Sequence, residues 1–236
     1  MTAAPASVLR GVRAAIIDLD GTMLDTMPDF HVAINAMRAE LDLAPITAAR
    51  IGLMVGKGSE HLIRSVLALD CDSAGVERRF DAAMAAYQRH YLVINGRHSA
   101  LYPGVTAGLD ALRAQGVRLA CVTNKPIAFA RPLLEQKGLA DYFDVVYGGD
   151  SLAHKKPHPL PLLQVCGDFG LAPAQVVAIG DSSNDAQAAR AAGCPVLTVP
   201  YGYNHGESVH DIDSDGIVDT LFDAAQLIRL HAASTN

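Results

Sequence analysis

Acidic side chains follow two short apolar segments that lie far apart in the sequence. Asp18 and Asp20 come just after Ala14 to Ile17, and Asp181 follows Val176 to Ile179. Carboxylates held close together raise each other's pKa unless a cation or a shared proton relieves the repulsion. We therefore predict that a divalent metal lies between the two segments and that one carboxylate is left free to do chemistry.

Three side chains that could bind phosphate also follow apolar segments. They offer a hydroxyl, an amide and an ammonium group. Thr123 and Asn124 come after Val117 to Val122, and Lys156 lies in the loop after Val145 to Tyr147. Each is weak evidence alone, because a Thr-Asn pair is common in plain turns. Together with the acidic residues, they favour a site for a phosphate group.

Short, continuously apolar runs alternate with helical patterns over much of the chain. Continuous apolarity is typical of parallel strands that are buried on both faces. The predicted strands are 14–17, 117–122, 145–147, 176–179 and 195–199, and the predicted helices are 105–115, 127–137, 159–169 and 184–192. Pro132 predicts a kink or a late start in the second of these helices. The alternation predicts an α/β fold with a doubly wound parallel sheet.

One interval carries helical patterns and no strand-like run. From Thr26 to about Gly96, apolar side chains recur at helical spacing in three sets: Phe30, Ile34, Met37 and Leu41; Leu62, Ile63, Val66 and Leu67; Phe80, Met84, Tyr87, Tyr91 and Ile94. These sets predict a helical insertion after the first strand. We expect a helical cap over residues 25–97 and a catalytic core formed by residues 1–24 and 98–236.

The topology of such a sheet brings the polar segments together. In open parallel sheets, ligands bind beyond the carboxyl ends of the strands. Asp18, Thr123, Lys156 and Asp181 all belong to segments at that edge. We therefore expect one site, although nothing in the sequence distances requires it.

The charges of these residues suggest roles in phosphoryl transfer. Asp18 is predicted to attack phosphorus and form an aspartyl-phosphate, and Asp20 to serve as general acid and base. Thr123, Asn124 and Lys156 are predicted to hold phosphoryl oxygens.

The same segments offer oxygen ligands for Mg²⁺, which prefers one or two carboxylates together with waters and phosphate. Asp181 would complete a metal site with Asp18 and Asp20. Asp185 is expected to support the site or orient Lys156 rather than to bind the ion directly.

Four segments resemble, in order, the motifs of the haloacid-dehalogenase-like phosphohydrolases: Asp18-Leu19-Asp20-Gly21-Thr22, Thr123-Asn124-Lys125-Pro126, Lys155-Lys156-Pro157-His158-Pro159 and Gly180-Asp181-Ser182-Ser183-Asn184-Asp185. Longer strings, such as Tyr201-Gly202-Tyr203-Asn204, are similar to those of the bacterial phosphoglycolate phosphatases within that superfamily. The resemblance implies 2-phosphoglycolate as substrate, Mg²⁺ as cofactor, a mobile cap, and metal binding through the backbone carbonyl of Asp20. Thr22, in the first motif, is expected to support the site.

A glycine-rich, cationic loop lies within the insertion. It differs from a P-loop, because Gly58 rather than Ser or Thr follows Lys57. Gly56 and Lys57 are candidates to meet a carboxylate of the substrate. A plain cap loop is the alternative that the sequence leaves open.

The combined pattern predicts a Mg²⁺-dependent phosphomonoester hydrolase, with 2-phosphoglycolate ranked first by resemblance alone. A phosphatase for another small phosphate ester and a sugar phosphomutase on the same fold are the alternatives. A dehalogenase of related fold needs no metal and usually lacks the second aspartate, so Asp20 argues against it. A phospho-aspartate signalling module is disfavoured by Asp20 and by the large helical insertion.

Composition narrows the partners and the location. The net charge of −6 and the absence of a Lys or Arg run disfavour nucleic acid and anionic membranes as partners. The four cysteines are scattered, which argues against a disulfide framework and favours a reducing cytoplasm. No segment has the pattern of a secretory signal or a membrane span. We expect a cytoplasmic monomer or homodimer that binds a small phosphate ester.

Overall fold

The computed structural model describes residues 9–232. Its strands are β1 (Ala14–Ile17), β2 (Leu24–Asp25), β3 (Ala100–Leu101), β4 (Arg118–Val122), β5 (Val145–Tyr147), β6 (Val176–Gly180), β7 (Val196–Thr198) and β8 (Gly216–Ile217). Its α-helices are α1 (Met27–Glu40), α2 (Ala48–Gly52), α3 (Ser59–Leu67), α4 (Ser73–Ile94), α5 (Val105–Ala114), α6 (Ile127–Gln136), α7 (Leu160–Phe169), α8 (Ser183–Ala192) and α9 (Leu221–Ala232). Within this described part, no helix is both long enough and apolar enough to cross a membrane.

Six strands form one sheet in the order β5-β4-β1-β6-β7-β8, and every neighbouring pair is parallel. The chain adds β4 and β5 on one side of β1 and then β6, β7 and β8 on the other. β1 therefore lies where the strand order reverses, which is where open α/β sheets bind ligands. The predicted doubly wound α/β fold is confirmed. The edge strand β8 has only two residues, too few to show a pattern.

Helices cover both faces of this sheet. Ala15 and Ile17 of β1 pack in one core cluster with α5, α6 and α9, whereas Ala14 and Ile16 pack in another with α7 and α8. Both sets of side chains are buried, which explains the continuous apolar run in the sequence. Full burial of one isoleucine contributes about 1.5–3 kcal/mol to folding.

The helices α1 to α4 lie between β2 and β3 and form a third core cluster with Phe129 of α6. β2 and β3 pair antiparallel, with Leu24 opposite Leu101. The insertion therefore leaves and rejoins the rest of the chain at adjacent points. The short helix α2 was not predicted, because five residues carry too little periodicity.

A buried carboxylate ties the two ends of the insertion together. Asp29, near the start of α1, is fully buried and accepts hydrogen bonds from the backbone N–H groups of Gly96 and His98, both at 2.8 Å. Removing the Asp29 carboxylate would leave both of these backbone N–H groups without this acceptor. A buried polar group without a partner costs about 1–3 kcal/mol.

Pro132 does not delay α6, which begins at Ile127, so the late start allowed by the sequence does not occur. Proline lacks the N–H that would bond four residues back, and this ordinarily disfavours a helix interior. Ala130, Leu133 and Leu134 of the same helix are buried. Their tertiary packing offsets the local cost.

Replacing each of two helical glycines by alanine should change the stability of the protein in opposite directions. A Cβ at Gly108 of α5 would lie 2.6 Å from the carbonyl carbon of Leu221, at the start of α9, whereas a Cβ at Gly167 of α7 would meet nothing within 4 Å. We expect Gly108→Ala to destabilise the protein by about 1–3 kcal/mol through overpacking. Gly167→Ala should stabilise it by about 0.5–1 kcal/mol through helix propensity. Urea unfolding measures both, and equal effects of the two variants would contradict this packing of α5 on α9.

Candidate active site

Two neighbouring strands position the acidic cluster. Ile17 pairs with Ile179 in the sheet, and the backbone N–H of Asp18 donates to the carbonyl of Ile179 at 3.0 Å. Asp18 and Asp181 thus leave adjacent strands at the same edge. One carboxylate oxygen from each of Asp18, Asp181 and Asp185 lies within 4.8 Å of the others.

One buried ammonium group lies among these carboxylates. Lys156 Nζ is 2.9 Å from Asp18 Oδ1 and 2.6 Å from Asp185 Oδ1, and it donates to the carbonyl of Val122 at 2.7 Å. Lys156 is only 4% exposed. Its charge is therefore compensated inside the protein rather than by solvent.

Asp185 fixes the position of Lys156. Its Oδ2 atom accepts from the hydroxyl of Ser182 at 2.7 Å and from the backbone N–H of Ser182 at 3.2 Å, at the start of α8. With Oδ1 on Lys156, both oxygens of Asp185 have protein partners. This arrangement agrees with an orienting role for Asp185.

Asp181 is held by two donors. Thr22 Oγ1 donates to Asp181 Oδ1 at 2.9 Å, and the backbone N–H of Tyr203 donates to Oδ2 at 2.5 Å. Gly21 lies against the same carboxylate with a φ of +87°, and a Cβ there would overlap it. Glycine is therefore required at this turn by both space and backbone conformation.

The tyrosine that holds Asp181 also contacts the insertion. The phenol oxygen of Tyr203 donates to Asp25 Oδ1 at 2.5 Å and accepts from the backbone N–H groups of Thr26 and Met27, at 2.9 and 3.0 Å. The loop after β7 therefore joins the acidic cluster to the start of α1. Sequence reasoning assigned no role to Tyr203.

Burial makes the negative charges costly. It raises the pKa of Asp18 to about 7, helped by the charge of Asp185 and opposed by Lys156. Burial, followed by the charges of Asp18 and Asp185, raises the pKa of Asp181 well above its usual value. Burial alone lowers the pKa of Lys156, but the neighbouring carboxylates outweigh it and the net pKa lies above its usual value.

The donor set fits a hard divalent cation. Asp18 Oδ1 is buried and accepts no hydrogen bond of good geometry from the described residues, although Lys156 Nζ lies nearby. Opposite ligands of Mg²⁺ stand about 4.2 Å apart, and one oxygen from each carboxylate of the cluster lies within 4.8 Å of the others. Asp18 and Asp181 are the residues placed to hold such an ion. The Asp20 carboxylate lies outside this cluster.

Asp20 instead pairs with a residue that sequence reasoning missed. Lys125 Nζ lies 3.0 Å from Asp20 Oδ1 and 3.2 Å from Oδ2, and the Lys125 side chain is 2% exposed. The only sequence signal was the position of Lys125 within the Thr123 to Pro126 string.

Thr123 and Asn124 lie beside the cluster with different partners. Thr123 is 3% exposed, and its hydroxyl accepts from the backbone N–H of Lys125 at 3.2 Å. Asn124 Nδ2 donates to the carbonyls of Gly56 at 2.9 Å and Lys156 at 2.8 Å. The amide donors of Asn124 thus face protein carbonyls, and its phosphate-binding role stays a prediction.

The two cap candidates lie in different places. Gly56 lines a small cavity of about 30 Å³ together with Asp18, Asp20 and Thr123. Lys57 lines a wider adjoining cleft of about 740 Å³ that reaches Lys156.

Side chains of both charges line this cleft: the cations are Lys57, Arg64, Lys155 and Lys156, and the acids are Glu60, Glu207 and Asp211. Burial, followed by the charges of Lys57 and Lys155, lowers the pKa of His61, which also lines it. Lys57 and Lys155 are therefore the cations that act on His61 in this part of the cleft.

Residues 12–193 match the model of the haloacid dehalogenase-like hydrolases. The fold and the acidic cluster agree with this match, and the chain belongs to that family. The recognition made from the four motifs is confirmed.

The relatives narrow the comparison within the family. The chain is 49% identical over 218 residues to a phosphoglycolate phosphatase of Nitrosospira multiformis, covering 92% of this chain and 96% of the relative. It is 46% identical over 217 residues to a phosphoglycolate phosphatase of Thiobacillus denitrificans, with coverage of 92% and 96%. A crystal structure described as a predicted phosphoglycolate phosphatase from Haemophilus somnus superposes with a TM-score of 0.84 at 32% identity, covering 92% of this chain and 98% of that one.

The raised pKa of Asp18 predicts that protons compete with a divalent cation. The folded chain retains a proton on Asp18 that the unfolded chain loses above about pH 3.8, so this group's contribution to stability falls between pH 3.8 and about 7. A cation that binds the ionised cluster should therefore stabilise the protein most above pH 7. We expect the apparent Kd for Mg²⁺ to rise about tenfold for each pH unit below pH 7, because a proton then competes with the ion.

Thermal unfolding with and without Mg²⁺, between pH 5.5 and 8.5, measures this effect. Asp213→Asn is the matched control, because Asp213 is an exposed carboxylate at 80% side-chain exposure. It should leave the pH dependence unchanged. A Mg²⁺ effect that does not vary with pH would contradict the assignment.

Proposed function

We propose that this protein is a Mg²⁺-dependent phosphomonoesterase that hydrolyses 2-phosphoglycolate to glycolate and phosphate. The observation that carries the proposal is the contact of Asp18 with Lys156, at 2.9 Å, inside the cluster of three carboxylates. The names of the two curated relatives support the substrate. Bound Mg²⁺ would offset the charge of the phosphoryl group and of the carboxylates around it.

Asp18 is the proposed nucleophile. Its carboxylate oxygen forms a bond to phosphorus while the bond from phosphorus to the glycolate oxygen breaks, which leaves an aspartyl-phosphate. Asp20 gives its proton to the departing alkoxide. Asp20 then takes a proton from water, whose oxygen attacks phosphorus and releases phosphate from Asp18.

The surrounding donors stabilise the charge on the transferring group. Lys156 and the hydroxyl of Thr123 are proposed to hold phosphoryl oxygens, with Asn124 at the same turn. Asp185 orients Lys156 through the contacts described above, and Thr22 orients Asp181 in the same way. Asp20 would contribute its backbone carbonyl to the metal site.

We propose that residues 25–97 form a mobile cap on a core of residues 1–24 and 98–236. The cavity next to Asp18 is lined by Asp18, Asp20 and Thr123 of the core and by Gly56, Tyr87 and Tyr91 of the insertion. Movement of the inserted helices would therefore open and close this cavity. The carbonyl of Gly56 accepts from Asn124 at 2.9 Å and from Asn184 at 3.4 Å, and these contacts would break and re-form as the cap moves.

Lys57 is proposed to attract the carboxylate of the substrate. It lines the cleft that also contains Lys155 and Lys156, and it follows Gly56 of the cavity wall in the sequence. A carboxylated substrate would place its second anionic group on this side.

Asp18→Asn should abolish turnover, because the amide cannot form the aspartyl-phosphate. We expect release of inorganic phosphate from 2-phosphoglycolate to fall by about 10⁴-fold or more. Circular dichroism and urea unfolding check that the variant remains folded. Near-normal turnover in a folded variant would contradict the nucleophile assignment. Phosphate release that required a sugar bisphosphate would indicate a mutase instead.

Lys57→Gln should raise the KM for 2-phosphoglycolate about tenfold, the effect of losing roughly 1.4 kcal/mol of charge attraction. Ethyl phosphate, which lacks the carboxylate, should show little change. Arg50→Gln is the matched control, because Arg50 is an exposed cation of the same insertion. Equal loss on both substrates would show that Lys57 does not recognise the carboxylate.

A further inference from the structure

Lys125 lies at the junction of the core and the insertion. It follows β4 and is 5% exposed. Its ammonium group contacts both oxygens of Asp20, at 3.0 and 3.2 Å, and also donates to the phenol oxygen of Tyr91 in α4 at 2.6 Å. One buried cation therefore joins the proposed acid and base to the inserted helices.

Aromatic rings from the insertion surround this cation. Lys125 Nζ lies 4.7 Å from the ring centroids of both Phe30 and Tyr91. The two rings stack on each other at 5.3 Å, and Phe129 packs edge-on against Tyr91 at 5.1 Å. The face of an aromatic ring attracts a cation, so this packing restricts where the ammonium can lie.

Among the described residues, the Asp20 carboxylate accepts hydrogen bonds from Lys125 and from no residue of its own segment. The following residue, Gly21, turns the chain with a φ of +87°. Proton transfer requires a donor within hydrogen-bond reach of the leaving oxygen, so a rotating carboxylate would lose catalytic efficiency. A two-point contact with a buried lysine removes that freedom.

We propose that Lys125 is a positioning residue that holds the Asp20 carboxylate toward the leaving group, and that Tyr91 makes this hold depend on the packing of the inserted helices. The proposal rests on the proposed function, in which Asp20 protonates the departing alkoxide. A protonated carboxyl group still accepts from Lys125 through its carbonyl oxygen.

The alternative is a purely structural role, in which Lys125 only neutralises a buried charge. The two roles predict different effects of a Lys125 substitution on substrates with different leaving groups. Glycolate leaves 2-phosphoglycolate as an alkoxide and needs a proton, whereas acetate leaves acetyl phosphate without one. The value of kcat/KM reports the step in which the leaving group departs, because that step precedes hydrolysis of the aspartyl-phosphate.

The experiment compares kcat/KM for these two substrates in Lys125→Met, Lys125→Arg, Tyr91→Phe and Asp20→Asn. We expect Lys125→Met to lose roughly 10²-fold on 2-phosphoglycolate and less than about tenfold on acetyl phosphate, in line with the usual contribution of acid–base groups. Lys125→Arg keeps a cation at this position, so its loss on 2-phosphoglycolate should be smaller than that of Lys125→Met. Tyr91→Phe should shift the ratio in the same direction by a few fold, whereas Tyr87→Phe, which removes another buried hydroxyl of α4, should leave the ratio unchanged.

Each outcome decides between the two roles. Equal loss on both substrates in Lys125→Met and Tyr91→Phe, with Asp20→Asn still discriminating, would overturn the positioning role and leave the proposed function intact. If Asp20→Asn itself fails to discriminate, the proposed acid role is wrong. If Lys125→Met does not fold, Tyr91→Phe and Lys125→Arg carry the test.

Discussion

The main physical constraint on the site is that its carboxylates carry more negative charge than the nearby lysine offsets. Asp18, Asp181 and Asp185 place carboxylate oxygens within 4.8 Å of one another, and Lys156 is the ammonium group that contacts two of them. Burial raises the pKa of both Asp18 and Asp181, so the side chains alone resist full ionisation. A divalent cation would offset the excess negative charge of the cluster and the charge of a phosphoryl group that binds beside it. This constraint connects metal binding, nucleophile charge and pH dependence.

The fold brings these groups together and also ties them to the insertion. Asp18 follows the central strand of a parallel sheet at the point where strand order reverses. From there, Tyr203 connects Asp181 to the start of α1, and Lys125 connects Asp20 to α4 through Tyr91. A displacement of the inserted helices would alter both connections. Substrate access and the geometry of the acid–base group are therefore linked through the same contacts.

Sequence patterns predicted the sheet and the convergence of Asp18, Lys156 and Asp181, because parallel topology sends every strand end to one edge. Two-residue strands such as β8 carry no periodicity and were missed. The contacts of Lys125 and Tyr203 were also missed, since they depend on how the insertion and a loop pack in three dimensions. The side-chain direction of Asn124, toward Gly56 and Lys156, is likewise a tertiary property.

A crystal structure with Mn²⁺ and beryllofluoride would test the central claim most directly, because beryllofluoride binds a nucleophilic carboxylate as a phosphoryl group does. The account predicts beryllofluoride on Asp18, within about 3 Å of Lys156 Nζ. It also predicts an anomalous peak for the cation between Asp18 and Asp181. Beryllofluoride on another carboxylate, or a cation bound away from Asp18 and Asp181, would contradict it.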